Sequence, residues 1–305
     1  TDYIGKYFKL TQDLDFSNAT FTSIGSQAHP FVGTFDGNGK VIRNLTIPYV
    51  ASSNCVGLFG KTSSATITNL TLSHATIDGF SFVGGIVGSA VGGSITNCNV
   101  INSTIGHDGA QNVGGIVGSI SSTNISNCYS LSNNVLGNHN VGGILGGTNG
   151  GTAATMTGCV STSTITANNK AGAISGITSD VTIGSDNYYL NNPTVSSELV
   201  VVGTLMSLAD ILTTINNGTA LYMQDVFATT TYGTNGIVLI SDIAGKAITT
   251  IAEGLIPSGY TTPMPSSVTI ADGGSLIDPS NKITNVTIQR KLRVGKWNLL
   301  GLTQS

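Results

Sequence analysis

Charged side chains are scarce in this sequence, at 9% of its 305 residues, against about 25% in ordinary soluble domains. The formal net charge is only −3, so the chain lacks the basic surface that attracts nucleic acid or an anionic membrane. It also lacks any run of about 18 apolar residues, the length that indicates a membrane-spanning helix. We therefore expect no nucleic-acid partner and no membrane insertion within this chain.

Residue types that carry catalysis are also few. Glu198 and Glu253 are the only glutamates, which argues against a glycosidase pair of two glutamates. The aspartates that could line one wall instead fall between repeats without a common register: Asp78, Asp108, Asp180 and Asp186. Neither the H-E-x-x-H pattern of a zinc peptidase nor the G-x-G-x-x-G order of a nucleotide loop occurs. The sequence predicts no catalytic site, no metal site and no cofactor.

Glycine is abundant, with 40 residues, and many of these belong to a phrase close to V-G-G-I-V-G. Its copies are Phe31–Asp36, which is imperfect, Cys55–Gly60, Val83–Gly88, Val113–Gly118, Val141–Gly146 and Ala171–Gly176. A second phrase, close to I-T-N-C, follows each copy at Ile42–Leu45, Ile67–Leu70, Ile95–Cys98, Ile125–Cys128, Met156–Cys159 and Ile183–Tyr188. A third apolar column consists of Ile77, Ile105 and Val135. Self-similarity at a period of about 28 residues is the signature of a repeat architecture.

Each repeat predicts one coil of a parallel β-solenoid. Short runs of Val, Ile and Thr separated by Gly, Asn and Ser are typical of strands and turns, and no copy has a helical stripe. In the second phrase Asn tolerates the left-handed backbone of a corner, which brings the flanking Ile and Leu or Cys to the same interior side. Coils this small are stable only when stacked on neighbours. The fold class is therefore all-β, a right-handed parallel β-helix of about six to seven coils.

The four cysteines replace apolar residues of these columns. Cys98, Cys128 and Cys159 fall on the column of Leu45 and Leu70, and Cys55 falls on the column of Val83. Intervals of about 30 residues without a nearby histidine do not suit zinc. Neighbours in a column lie about 4.8 Å apart, so a Cys98–Cys128 or Cys128–Cys159 disulfide is possible. We favour four buried free thiols.

The repeats divide the chain into three parts. Residues 1–192 form the β-solenoid, with an entry coil over about the first thirty residues. In that coil Asp13 and Asp15 flank Leu14 on the outward side, either as plain surface residues, which we favour, or as a calcium or carboxylate pair. Residues 193–226 form a connector with one short helix at about 204–217 that covers an end or packs on a wall. Residues 227–305 form a small C-terminal β segment or further irregular coils, with strand-like patterns at 236–240, 247–251 and 267–270 and a hairpin around 294–296.

Candidate ligand-binding residues lie in the loops between repeats, around 106–112 and 136–140. They are His107, Asp108, Asn138 and His139, of which His107 and Asp108 are more typical of a turn than of a catalytic pair. Tyr189 and Trp297, together with Tyr188, are candidates for stacking on a sugar. As an alternative these aromatic residues pack in the interior, since Tyr188 falls on the column of Leu70 and Cys98.

The phrase in Cys55–Gly60 and Val83–Gly88, followed by I-T-N-C, resembles the GLUG repeat of bacterial surface and secreted proteins. The leader Phe31–Gly39, running into Ile42–Leu45, is similar to the segment that precedes such repeats. The resemblance covers roughly residues 1–190 and implies an exported, adhesin-like protein with a β-helical body. More weakly, the region from Arg290 to Leu302 is similar to the C-terminal regions of surface proteins of gut anaerobes.

From these observations we expect a non-enzymatic, extracellular, cell-surface protein, a monomer whose solenoid presents binding loops to a host glycan or matrix protein. The chain starts at Thr1 without an apolar leader, so an export signal would have been removed or would lie outside it. Two alternatives are a polysaccharide-processing β-helix enzyme and a structural spacer in a larger surface protein.

Overall fold

Residues 5–17, 19–151 and 154–206 are described in full by a computed structural model of the chain. Beyond them it describes the backbone of four short strands, Ile240–Ile243, Lys246–Thr249, Ser267–Ile270 and Asn285–Ile288. The first two of these strands pair antiparallel with each other, and the last two pair parallel with each other. Within the described residues no helix is long and apolar enough to cross a bilayer.

The fully described part is an all-β solenoid of about seven coils, with no helix, which confirms the predicted parallel β-solenoid and its number of coils. The right-handed sense of the coils stays a prediction. A 14-stranded sheet forms wall 1, and two six-stranded sheets form walls 2 and 3. Every strand in these walls pairs parallel with the strands of adjacent coils. Within one repeat the chain passes through wall 1, wall 2 and wall 3 in turn.

The strands of the three walls are as follows. Wall 1 contains Tyr7–Lys9, Leu14–Asp15, Thr34–Arg43, Phe59–Ser73, Val87–Ile101, Val117–Ser121, Asn124–Ser126, Tyr129–Leu131, Leu145–Thr148, Ala154–Thr157, Val160–Ser161, Val181–Ile183, Tyr188–Tyr189 and Thr204–Leu205. Wall 2 contains Thr46–Ile47, Thr76–Ile77, Thr104–Gly106, Asn134–Gly137, Thr164–Ala167 and Thr194–Val195. Wall 3 contains Asn54–Val56, Ser81–Gly84, Gln111–Gly114, His139–Gly142, Lys170–Gly172 and Glu198–Val200.

The asparagine of the second phrase makes the predicted corner within wall 1. Asn69, Asn97 and Asn127 have φ values of 54°, 53° and 50°, the left-handed region that Asn tolerates better than most residues. Their side chains also connect coils, since Asn97 Nδ2 donates to Asn69 Oδ1 at 3.1 Å. The corner turns the flanking apolar residues inward on both sides.

The interior file that follows this corner is the one predicted from the sequence. Leu70 and Cys98 are register partners, Cys128 and Cys159 continue the file, and all four are fully buried. Each of the three thiols donates to the carbonyl two residues earlier in the chain, at 3.3–3.4 Å. All four cysteines of the chain are free, and burial raises the pKa of the Cys98 and Cys159 thiols.

The file ends in Asn187, so the placement of Tyr188 on this column is wrong. Tyr188 is the register partner of Val160, one row further along. Asn187 is fully buried, and its Oδ1 accepts from the Cys159 amide at 3.0 Å. Its Nδ2 donates to the carbonyls of Met156 and Gly184. A polar side chain can lie in the interior here because every polar atom of its carboxamide is bonded.

Two positions in the first copies are also assigned wrongly by the sequence pattern. Val56, rather than Cys55, is the register partner of Val83, because this corner is one residue shorter than later ones; Cys55 is buried nonetheless. The Phe31–Asp36 copy is displaced as well, since Phe35 pairs with Ile67 of the second phrase and Ile42 pairs with Leu72.

The displacement comes from a bulge in the first wall 1 strand. The register shifts between Asp36 and Lys40, where Asn38 and Gly39 have positive φ. The sequence of Asp36–Gly39 is typical of a tight turn in a hairpin or a corner, and it is here a corner that continues a parallel strand. The bulge holds extra residues, so the spacing along this strand differs from that in later coils. The alignment of Ile42–Leu45 with the later copies of the second phrase assumed equal spacing and is therefore shifted.

The predicted start of the helix at about 204 is wrong, because Thr204–Leu205 is a wall 1 strand that pairs with Tyr188–Tyr189. Residues 207–217 lie outside the described residues, as does the hairpin predicted around 294–296. The strand-like pattern predicted at 247–251 and 267–270 agrees with the described strands Lys246–Thr249 and Ser267–Ile270. The division into three parts stays a prediction.

The second glycine of the V-G-G phrase allows neighbouring coils to approach closely. A Cβ at Gly85 would lie 2.5 Å from the Gly115 carbonyl oxygen, and a Cβ at Gly115 would collide with the Gly143 carbonyl and the Ser130 hydroxyl. The last copy has Ala173 at this position, and that residue is buried. The side chain fits there because it lies at the last V-G-G copy of the stack.

We expect Gly115→Ala to lower the free energy of unfolding by about 3 kcal/mol or more, because the added methyl meets a backbone carbonyl that cannot move alone. Chemical denaturation followed by far-UV circular dichroism measures the change. The matched control is Ala173→Gly, which should cost less than about 1 kcal/mol. An unchanged stability in Gly115→Ala would contradict the close approach of the coils.

We also expect Cys98, Cys128 and Cys159 to be unreactive toward Ellman's reagent in the folded protein, because they have no exposed surface and the thiolate is the reactive form. After denaturation under non-reducing conditions the reagent should titrate all four cysteines of the chain. Titration of only two thiols would reveal a disulfide between neighbours in the file and contradict the free state.

Candidate functional site

The corner between walls 2 and 3 carries most of the predicted binding residues. Its loops are 48–53, 78–80, 107–110, 138, 168–169 and 196–197, one for each successive coil. Their lengths differ, whereas the strands on either side stay in register. Where a loop is short, side chains of the two flanking loops meet above it, and this happens twice along the corner.

The first meeting joins Tyr49 and His107, which belong to coils that are not adjacent. Their ring centroids lie 4.7 Å apart at an interplanar angle of 73°. The register of wall 2 aligns Ile47, Ile77 and Ile105, so Gly79 occupies the equivalent position in the coil between them. Because glycine has no side chain, the two rings can meet across that coil.

Asp78 fixes the orientation of the His107 ring. Its Oδ1 lies 2.6 Å from His107 Nδ1, and both side chains are partly exposed. Phe80, in the same short loop, is 41% exposed, but its backbone is bonded to both neighbouring coils. The Phe80 amide donates to the Ser53 carbonyl at 3.0 Å, and the Phe80 carbonyl accepts from the Gln111 amide at 3.1 Å.

The second meeting joins Asp108 and Asn168 above the single-residue loop at Asn138. Asn168 Nδ2 donates to Asp108 Oδ1 at 2.5 Å. Beside this contact, Asn169 Nδ2 donates to Asn138 Oδ1 at 2.6 Å, and the Asn138 amide donates to the Ala110 carbonyl at 2.7 Å. The corner therefore continues from an aromatic part into a row of hydrogen-bonded amides and a carboxylate. We refer to the whole set, Tyr49, Asp78, Phe80, His107, Asp108, Asn138, Asn168 and Asn169, as the corner site.

Exposed large apolar side chains in the described residues fall into three groups. Tyr7 and Phe8 belong to the first coil, and Leu199, Val201 and Leu205 belong to the last. The third group consists of Tyr49, Val50 and Phe80, which are 45%, 55% and 41% exposed. The first two groups belong to the first and last described coils, whereas the third group lies along the side of the solenoid, between described coils. Exposed apolar clusters of this kind mark binding surfaces.

Of the six residues predicted for ligand binding, the structure brings three together. His107, Asp108 and Asn138 belong to the corner site, and His139 is an exposed residue at the adjoining start of a wall 3 strand, in register with Gln111. Tyr189 is an inward residue of wall 1 and only 7% exposed, which matches the alternative of interior packing given for these aromatic residues. Trp297 lies outside the described residues.

The sequence pattern does not identify Tyr49, Phe80, Asn168 and Asn169 as candidate binding residues. The residues of these corner loops do not repeat from coil to coil, because the loops differ in length, so periodicity gives no signal for them. Extending the third column back to Ile47, which pairs with Ile77, and counting two residues beyond Ile47 and Ile105 would have aligned Tyr49 with His107.

The calcium or carboxylate pair at Asp13 and Asp15 is not formed, because protein groups already occupy both carboxylates. Asp13 Oδ2 lies 2.8 Å from Arg43 Nη1, and Asp13 Oδ1 accepts from the Val41 amide at 3.0 Å. Asp15 Oδ1 accepts from Asn44 Nδ2 and from the amide and hydroxyl of Ser17. Across the described residues no three His, Cys, Asp or Glu side chains are grouped to hold a metal ion.

These contacts lower the pKa of both carboxyls. Burial alone would raise the pKa of Asp13, but the Val41 amide and the Arg43 guanidinium outweigh it. Hydrogen bonds from Asn44 and Ser17 lower the pKa of Asp15 to about 2. The partners of both carboxylates in the next coil belong to the strand Thr34–Arg43 or follow it directly, so the bonds attach the entry coil to the solenoid.

The fold and the corner define a β-solenoid repeat protein, and comparison with known proteins agrees with that class. The solved structure of a candidate immunoglobulin A1 protease from Bacteroides ovatus superposes with a TM-score of 0.52 at 18% sequence identity, covering 71% of this chain and 82% of the other. This likeness establishes the fold alone.

Sequence comparison gives a local match. Over 121 residues the chain is 33% identical to Halomucin from Haloquadratum walsbyi, and the match covers 32% of this chain. It spans only 1% of the length of Halomucin. No family model matches the chain.

We expect acid to loosen the entry coil. A carboxyl whose pKa is lowered on folding stabilises the fold above its ordinary pKa, near 3.8 for Asp, and loses that contribution as the pH falls through the folded value, about 2 for Asp15. Hydrogen exchange at residues 7–17 should therefore accelerate between about pH 4 and about pH 2, relative to coils in the centre.

The double variant Asp13→Asn and Asp15→Asn should remove most of this acceleration, and Asp186→Asn, near the other end, should leave it unchanged. Exchange that stays independent of pH in the wild-type entry coil would show that these carboxylates do not attach it.

Proposed function

We propose that this chain is the β-solenoid part of an exported, adhesin-like surface protein of the GLUG-repeat kind. In this proposal it is a non-enzymatic monomer that binds a glycan or a matrix protein of a host through the corner site. The similarity of 121 residues to Halomucin and the low content of charged residues favour an extracellular location.

The observation that carries the proposal is the position of the exposed aromatic side chains. Tyr49 and Phe80 lie away from both ends of the stack, next to His107, Asp108 and Asn138, which the sequence pattern assigns to binding loops. Ligand sites combine an apolar surface with a few placed polar groups, and the corner site has this composition. A spacer without a ligand would give no reason for aromatic rings to remain exposed along the side of the solenoid.

The proposal predicts that the purified chain binds at least one member of an array of glycans and matrix proteins. The double variant His107→Ala and Asn138→Ala should lose that binding, because it removes side chains from both halves of the corner site. His29→Ala is the matched control, since His29 is exposed in a loop outside the corner site, and it should bind as the wild type does.

Two outcomes would contradict this function. If the chain binds nothing on the array, the spacer becomes the better interpretation. If it shortens a polysaccharide during incubation, the chain is an enzyme, and the position of the carboxylates that act would have to be sought again.

A further inference from the structure

We propose that Tyr49, His107 and Phe80 form a subsite that stacks against the ring of a neutral pyranose sugar within an extended oligosaccharide. The inference rests on the proposed function and narrows its ligand to an uncharged glycan. It is carried by the contact of two rings across Gly79, by the exposed ring of Phe80 on a fixed backbone, and by the neighbouring carboxylates.

The aromatic surfaces are held in place before any ligand arrives. The edge-to-face contact of Tyr49 with His107 and the bond of His107 Nδ1 to Asp78 fix one surface between two coils. Hydrogen bonds of the Phe80 backbone to Ser53 and Gln111 fix the base of the other. A surface that is already ordered loses little conformational entropy on binding.

The chemistry of these surfaces suits a sugar. Aromatic rings present a large apolar area, which complements the C–H face of a pyranose. Ionised carboxylates only accept hydrogen bonds, and each has about four lone-pair sites, so Asp78 and Asp108 keep acceptor capacity for hydroxyl groups beyond their present bonds to His107 and Asn168. Sugar hydroxyls are the donors that such a surface needs.

The charges at the corner favour a neutral ligand over an acidic one. Asp78 and Asp108 are both acidic, and a uronic acid, a sialic acid or a sulfated sugar would meet like charge there. Lys170, at the start of a neighbouring wall 3 strand, pairs with Glu198 at 2.6 Å and is therefore already neutralised.

The corner also sets the direction of the ligand. Tyr49, Phe80 and His107 come from three successive coils, and Asn138 and Asn168 come from the next two. Successive coils are about 4.8 Å apart, so these residues form a track along the solenoid axis. A chain of several sugars can follow it, with aromatic stacking at one end and amide hydrogen bonds at the other.

Ligand-observed saturation-transfer NMR on the full chain tests this inference. The probes are neutral oligosaccharides ending in glucose, galactose, mannose or N-acetylglucosamine, each paired with a uronic acid or sulfated counterpart. We expect saturation transfer to at least one neutral probe and weaker binding of its acidic counterpart.

Matched variants then locate the subsite. Tyr49→Ala and Phe80→Ala should each weaken binding of that probe roughly tenfold, whereas Tyr49→Phe, which keeps the ring, should stay within about twofold. Phe80→Leu keeps apolar volume without a ring and should bind like Phe80→Ala. Tyr7→Ala, which removes an exposed tyrosine of the entry coil, is the control and should bind as the wild type does. Because the altered residues are exposed, far-UV circular dichroism should be unchanged in all of them.

The outcomes separate this inference from the broader function. Binding of a matrix protein or an acidic glycan on the array, without saturation transfer to any neutral probe, would overturn the subsite and leave the adhesin function standing. Neutral binding that Tyr49→Ala and Phe80→Ala leave unchanged would also overturn it. Absence of binding in both experiments would overturn the subsite and the function together.

Discussion

The register between adjacent coils is the constraint on which the rest of this structure depends. Residues at equivalent positions of successive repeats pair along parallel ladders, as Ile67, Ile95, Ile125 and Met156 do in wall 1. The same pairing satisfies the backbone and buries the side chain, because similar residues then lie above one another in the interior. A coil contributes to stability only through its two neighbours, so any residue that shifts the register affects both.

The first and last described coils depart from the repeat pattern. At the last coils the pattern relaxes, with Ala173 in place of glycine and Asn187 in place of cysteine. Asn187 fits because main-chain groups bond its carboxamide. At the first coil, carboxylates add to the backbone pairing and to the apolar contacts of Leu14 and Phe16 with the core, since Asp13 and Asp15 bond to residues of the next coil. These substitutions are departures from the repeat that have a local physical reason.

The register between adjacent coils also decides which structural positions can be predicted from the sequence. Inward residues repeat, so the column of Leu70, Cys98 and Cys128, the Asn corners and the fold class could be predicted. The register of the first copies could not, because the bulge between Asp36 and Lys40 and the shorter corner after Val56 change the spacing without a visible signal. For Tyr189 the sequence left stacking on a sugar and interior packing both open, because its inward direction depends on the register of the last described coils.

The periodicity of the sequence does not predict the residues of the corner loops, and the corner site consists of these residues. The walls cannot change length without breaking a ladder on each side, whereas a corner loop is free to lengthen or shorten. Length differences between neighbouring loops let side chains such as Tyr49 and His107, or Asp108 and Asn168, meet across the coil that separates them. In a solenoid with rigid walls, a site assembled from non-adjacent coils therefore forms most readily at a corner. His107 and Asp108 could be found from the sequence because they lie in a loop, but their partners depend on which loops are short.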